Sequence, residues 1–219
     1  MTKRSVIIYH MPRVAAKDRD AFVETRREEI LEAAVRLWSR KGYDGTSMAA
    51  IAREVGLTKG TLYLYFPGKL ALLDEVLRRY SLRPDVEALL AAWKDRPLEE
   101  IVRTLMKGAW AALEERRHMA GLLVRELPGQ LDKAEHFVHE VMMPVNRLLA
   151  ELLEDKLPPE RLARINSWVA GRSLMSMVVM FWASQELIGG NKHLSVSADE
   201  ATDTLAEVFL HGVLGSESA

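Results

Sequence analysis

The sequence predicts an all-α fold, and three features predict it. Apolar residues recur at three- and four-residue spacing through nearly the whole chain, the period of a helix with one buried face. Alternating runs of β-branched residues, the mark of half-buried strands, are missing. Glycine and proline punctuate the pattern at Gly42, Gly45, Gly56, Pro67-Gly68, Pro84, Pro97, Pro128-Gly129, Pro158-Pro159 and Gly189-Gly190. Helices are expected between those marks, at about 25–41, 48–55, 59–65, 69–82, 86–93, 98–116, 118–126, 131–155, 160–188 and 199–214.

The first helix carries Ile30, Ala34, Leu37, Trp38 and Lys41 on one stripe, with Arg26, Arg27 and Glu28 near its outer turns. It ends on the cations Arg40-Lys41, followed by Gly42, which tolerates a left-handed backbone. Ser47 stands where a serine can accept a bond from a first-turn amide of the second helix. A helix-turn-helix is predicted over about residues 48–66. Two short helices crossing steeply at a tight turn need a small residue at the crossing, a turn residue without Cβ strain, and inward apolar locks. Ala52 suits the crossing, Gly56 the turn, and Ile51, Val55, Leu57 and Leu62 the locks.

The second helix of the unit is Lys59-Gly60-Thr61-Leu62-Tyr63-Leu64-Tyr65, led by a cation, a glycine and a hydroxyl that can approach base edges. Thr58 can cap it and present an amide to a phosphate. Tyr63 and Tyr65 stand about 200° apart on a helix, so they cannot share a face. One can reach a phosphate or a thymine methyl while the other packs partly inward. Residues 1–24 are polar and weakly periodic. They read as a tail, an extension of the first helix, or a basic arm in which Lys3, Arg4 and Arg13 enter a minor groove.

Taken together, Ile30-Leu31-Glu32-Ala33-Ala34, Leu37, Gly42-Tyr43, Thr46-Ser47-Met48, Ile51-Ala52, Val55-Gly56, Thr58 through Phe66, and Lys69 resemble the tetracycline-repressor (TetR) family of bacterial regulators. The match runs from about Arg27 to Leu82, a quarter of the chain. The resemblance implies phosphate contacts for Thr46 and Ser47, and backbone or mixed contacts for Thr58, Tyr63, Tyr65 and Lys69. It places Lys59, Gly60 and Thr61 against bases. Two departures stand out. Leu64 replaces a tryptophan or tyrosine, which is expected to remove a contact with the DNA backbone, and Pro67-Gly68 replaces a more polar pair, which stiffens the turn.

By the same resemblance, residues 25–68 form the DNA-binding domain, 69–83 a connecting helix, and 84–219 a helical regulatory and dimerisation domain. A small-molecule pocket is expected among residues 98–188, with Met106, Trp110, His118, Leu122, Arg125, Met142, Met143 and Trp168 as wall candidates. Methionine and tryptophan at helical spacing are equally consistent with plain core. The stretch Ser173–Trp182 is apolar on every side and needs cover on two, one of them supplied by a second subunit. Met175, Val179, Leu205, Val208, Phe209 and Gly212 are the expected homodimer contacts. The implied partners are a palindromic double-stranded operator, a second copy of the chain and a small-molecule effector. The implied role is repression relieved by that effector.

Composition bounds the alternatives. Apolar residues at 48% and charged residues at 28% allow a sizeable core. The lack of cysteine removes disulfides and thiolate metal sites, as suits a reducing cytoplasm. The apolar run Val6–Tyr9 is too short for a signal peptide, and Leu174–Ala183 falls well below the ~20 residues of a membrane span. A cytoplasmic protein is expected. Residues 1–83 carry a balance of +6 and residues 84–219 a balance of −7, so the part meant to meet phosphates is the basic one. No nucleophile elbow, phosphate loop or metal spacing supports an all-helical enzyme. His136 and His139 share a helical face but lack a third ligand. No cofactor is expected. A DNA-binding architectural factor that answers to no ligand stays open.

Overall fold

The computed structural model describes residues 16–126 and 131–215, and all regular structure among them is helical. Helix α1 runs Ala16–Lys41, α2 Met48–Glu54, α3 Lys59–Tyr65 and α4 Lys69–Tyr80. They close on one core of Ile30, Leu31, Ala34, Leu37, Trp38, Met48, Ile51, Ala52, Leu62 and Phe66, joined by Leu72, Leu73, Val76 and Leu77 from α4. The segment expected merely to connect is therefore the fourth wall of the helix-turn-helix unit. Gly42 and Gly56 adopt φ of 73° and 67°, the left-handed conformations that end α1 and turn α2 into α3.

Helix α1 starts at Ala16, well before the expected residue 25, and α4 meets it from Glu24 onward. Arg79 of α4 pairs with Glu24 at 3.0 Å and with Glu28. The Tyr80 hydroxyl donates to Glu28. Residues 20–24 are thus continuous with α1 rather than part of a tail, while Lys3, Arg4 and Arg13 of the suggested arm lie outside the described residues.

The larger part continues with α5 Arg83–Trp93, α6 Leu98–Glu115, α7 Arg117–Glu126 and α8 Leu131–Phe137. After α8 a π-helical turn, Val138–Met142, leads into α9 Met143–Lys156. Pro144 follows this turn: proline has no amide to give and crowds the carbonyl four residues back, and it sits in the first turn of α9. The single helix expected over 160–188 is instead two, α10 Pro159–Leu162 and α11 Ser167–Glu186. Asn166 starts α11 by accepting the Val169 amide at 3.1 Å. A last helix, α12 Ala198–Leu214, packs beside α6 and α11. Arg161 of α10 donates to the carbonyls of Gly212 and Val213 at 2.7 and 2.8 Å, which satisfies the end of α12.

Two cores hold these helices. One collects Ile101, Val102, Leu105 and Met106 of α6 with Leu149, Leu153, Leu174, Phe209 and Leu210. The other centres on Trp110, Val178 and Trp182, with the Trp182 indole N–H donating to Glu114 at 3.1 Å. Met119 of α7 and Val141 of the π turn reach across into the helix-turn-helix core.

Candidate nucleic-acid interface

Helix α3 is short and stands on one apolar foot. Leu62 is fully buried and Phe66 nearly so. The remaining positions Lys59, Gly60, Tyr63 and Leu64 are exposed, and Thr61 and Tyr65 are half-buried. The helix starts because Thr58 accepts the Thr61 amide at 3.1 Å, and the two hydroxyls share a further hydrogen bond of 2.8 Å. Its end is held by Arg27 of α1. That guanidinium donates to the Tyr65 carbonyl at 3.0 Å and lies 4.5 Å over the Phe66 ring. Glu75 of α4 sits 3.6 Å from the same guanidinium. The outward face is thus fixed from both ends, by the threonine cap at its start and by Arg27 at its finish.

Around α3 the other sequence-predicted contacts separate. Ser47 caps α2 by accepting the Ala50 amide at 3.2 Å and stays exposed. Lys59 holds its ammonium 5.8 Å from the Tyr63 ring, forming an exposed cation and aromatic pair. Lys69, in the first turn of α4, lies 4.1 Å over the ring of Tyr43. Burial, with Asp44 and Asp74 nearby, pushes the Tyr43 hydroxyl up to about 12, so it stays neutral beneath that cation. Thr46 is a correction. It is 1% exposed, and its hydroxyl donates inward to the Gly42 carbonyl at 2.9 Å, so it cannot meet a phosphate. Leu64, read from the sequence as a lost contact, is 85% exposed and holds the middle of the outward face. Arg53, in the last turn of α2, is an exposed cation that sequence reasoning passed over. Its signal was there: a basic residue opposite buried Ile51.

The expected effector-pocket residues do not converge. Met106 and Trp110 are buried in two different cores, which they fill rather than line. Trp168 stands exposed in the first turn of α11, and His118 and Met143 are exposed. Met142 is half-buried in the π turn, and the side chains of Leu122 and Arg125 lie outside the described residues. A cavity of about 30 Å³ does occur elsewhere, between α5 and α6, lined by Leu82, Asp85, Val86, Leu89, Leu105, Gly108 and Ala109. His136 meets Asp74 of α4 at 2.9 Å, whereas His139 meets its neighbour Glu140 at 3.1 Å, so the two imidazoles part company.

The expected dimer contacts divide as well. Phe209 is 5% exposed and belongs to the protomer's own core, which corrects its assignment to an interface. Met175, Val179 and Leu205 pack partly inward. Val208 is 60% exposed, and Gly212 is open. The free stripe on α11 lies one position round from the expected one: Val169 and Met180 at 63% exposure, with Ser173 and Ser176 between them.

Comparisons with known proteins agree with this architecture. Residues 30–76 match the family model of bacterial regulatory proteins of the tetR family. An HTH-type transcriptional regulator of Haemophilus influenzae is 31% identical over 144 residues, covering 59% of this chain and 74% of that protein. The HTH-type transcriptional repressor KstR of Rhodococcus jostii is 30% identical over 135 residues, covering 62% of this chain. The chain spans 20% of the length of the Bacillus subtilis regulator YuxN, 62% of that of the Bacillus subtilis regulator YerO and 63% of that of KstR, less than two thirds of each. In fold, the transcriptional regulator FadR of Bacillus subtilis, solved in complex with stearoyl-CoA, superposes with a TM-score of 0.68 at 17% identity, over 85% of this chain and 98% of that one. With a four-walled helix-turn-helix under an outward α3 and a helical remainder of this shape, the chain belongs to the TetR family of bacterial regulatory proteins.

Proposed function

We propose that the chain is a sequence-specific transcriptional regulator that binds a palindromic operator as a homodimer in the cytoplasm. One observation carries this: α3 is anchored through Leu62 and Phe66 while Lys59, Gly60, Tyr63 and Leu64 face outward. The exposed part of α3 thus offers a cation, a glycine and a leucine side by side. A major groove, with phosphates along its rim and base edges on its floor, suits that set. Ser47, Thr58, Tyr63, Tyr65 and Lys69 position the duplex, and Lys59, Gly60 and Thr61 face its bases. Dimerisation uses the α11 stripe Val169, Ser173, Ser176 and Met180 together with Val208 and Gly212 of α12, all exposed in the single chain. The test is selection of bound fragments from genomic DNA with the full-length protein, followed by titration of the selected duplex. Saturable binding to a two-fold sequence is expected; equal affinity for unrelated duplexes would overturn the proposal.

Repression relieved by a small effector rests on the family; the cavity between α5 and α6, about 30 Å³ and the size of one water, marks a place that a ligand would have to open. Leu82, in the link from α4 to α5, lines it, so a ligand enlarging that space pushes on the end of the helix that begins at Lys69. Candidates to add to the DNA complex include long-chain acyl-CoA thioesters, since a protein of similar fold holds stearoyl-CoA. A second reading, a regulator that answers to no ligand, is favoured by the full burial of Met106 and Trp110 where a pocket was expected. Release of the duplex by a metabolite decides for the first.

A further inference from the structure

Leu64 stands out among the large apolar side chains of the described residues because it is 85% exposed on an otherwise well-anchored helix. A residue two places along a helix is turned by about 200°. Measured from buried Leu62, Gly60 and Leu64 therefore both point directly away from the core, with Lys59 and Tyr63 along one flank and Thr61 along the other. The fold does not require a glycine at 60: a Cβ there would meet only the Thr58 Oγ1, at 3.9 Å. Glycine also weakens a helix. Its use at the outermost position keeps that surface low and lets the backbone come close to whatever α3 enters. The isobutyl group of Leu64 then stands above it as the foremost side chain.

We infer that Leu64 is a specificity-determining residue that receives the C5-methyl group of a thymine in the major groove, in the shallow step left by Gly60. This deepens the DNA-binding proposal and rests on it. A leucine offers no hydrogen bond to a base edge, and of the groups displayed in the major groove the thymine methyl is the apolar one. An adenine, guanine or cytosine edge at that point would leave polar atoms dehydrated against the isobutyl group. The position expected to have lost a backbone contact thus reads sequence instead.

The experiment uses a pool of random-sequence duplexes, from which the full-length protein selects its half-site. Each thymine of the selected site is then replaced in turn by deoxyuridine, which removes the methyl group and leaves the pairing intact. One thymine per half-site is expected to be sensitive, with affinity falling about fourfold, the worth of one buried methyl. Leu64→Ala is expected to bind the thymine and uracil duplexes alike, while its helical circular dichroism and unfolding midpoint stay unchanged, as suits a side chain outside the core. If no thymine is sensitive, or if L64A keeps the wild-type preference for thymine, the inference is overturned while the DNA-binding proposal stands. If selection enriches no sequence, the DNA-binding proposal falls and takes the inference with it.

Discussion

Lys59 and Lys69 carry the same charge at the two ends of one short segment, yet their surroundings assign them different work. Lys69 rests on the Tyr43 face at the start of α4, and the proposed function gives it the part of a point charge for a phosphate. Lys69→Ala should weaken binding equally on all duplexes and lower the slope of log affinity against log salt by about one, read from titrations at several salt concentrations. Lys59→Ala should cost about 1–3 kcal/mol and do so mainly at one base pair, read from a panel of single-base operator variants. Two mutants with the same profile would refute that division. Tyr43 adds a pH effect. Its hydroxyl titrates near 10.0 when exposed and near 12 in the fold. The folded state therefore prefers the neutral form, and the preference is complete below pH 10. It is lost as pH rises toward 12, because the unfolded chain ionises first. Stability measured by urea unfolding should fall across that window, and Tyr43→Phe should make the fall shallower. Ser47 and Thr58 were legible as caps because capping is decided within three residues. Thr46 was not, because its hydroxyl is claimed by the carbonyl of Gly42, a contact set by how α1 ends rather than by residue type.

At the scale of elements, the sequence marks that depend on local chemistry held. Gly56 between Ala52 and Leu57, and Gly42 after Arg40-Lys41, turn the chain where expected, since both require a left-handed backbone. Marks that depend on a distant partner did not. The early turns of α1 meet α4 where Glu24 and Glu28 pair with Arg79, and the break before α11 exists through Asn166 and the capture of Arg161 by α12. Periodicity alone fades before the first place and runs straight through the second. Thr58→Ala removes the cap of α3 and should destabilise the fold by about 1 kcal/mol in denaturant unfolding, with a larger loss of operator affinity if the helix frays. Gly171 tests the packing of α9 against α11. A Cβ there would stand 2.9 Å from the Leu149 Cβ and 3.2 Å from the Ala150 amide nitrogen, so one helix must move. Gly171→Ala should therefore cost about 1–3 kcal/mol by the same measurement, although alanine is the better helix former.

For the whole molecule, the division of charge anticipated by the sequence is matched by a division of cores. The basic front closes on its own apolar centre, with Met119 and Val141 as the bolts from the acidic remainder. Family and architecture were legible because about a quarter of the chain carries a dense motif. The proposed dimer face was not, because on a helix apolar on all sides, sequence cannot tell which stripe the protomer keeps. The structure separates them: Leu174, Val178 and Trp182 go inward, and Val169, Ser173, Ser176 and Met180 stay out. That separation makes the dimer testable without touching the fold. Met180→Asp combined with Val208→Asp places carboxylates on two mostly exposed positions, so the single chain loses little that it had buried. In a paired state they would be charges held against a second apolar face, at a cost of several kcal/mol. Sedimentation should show the wild type as a dimer at micromolar concentration and the double mutant as a monomer with unchanged helical circular dichroism. Its operator affinity should drop steeply, because one α3 reads too few bases to hold a site alone. A double mutant that still sediments as a dimer would place the contact elsewhere on the molecule and dissolve the link between the α11 stripe and the two-fold operator.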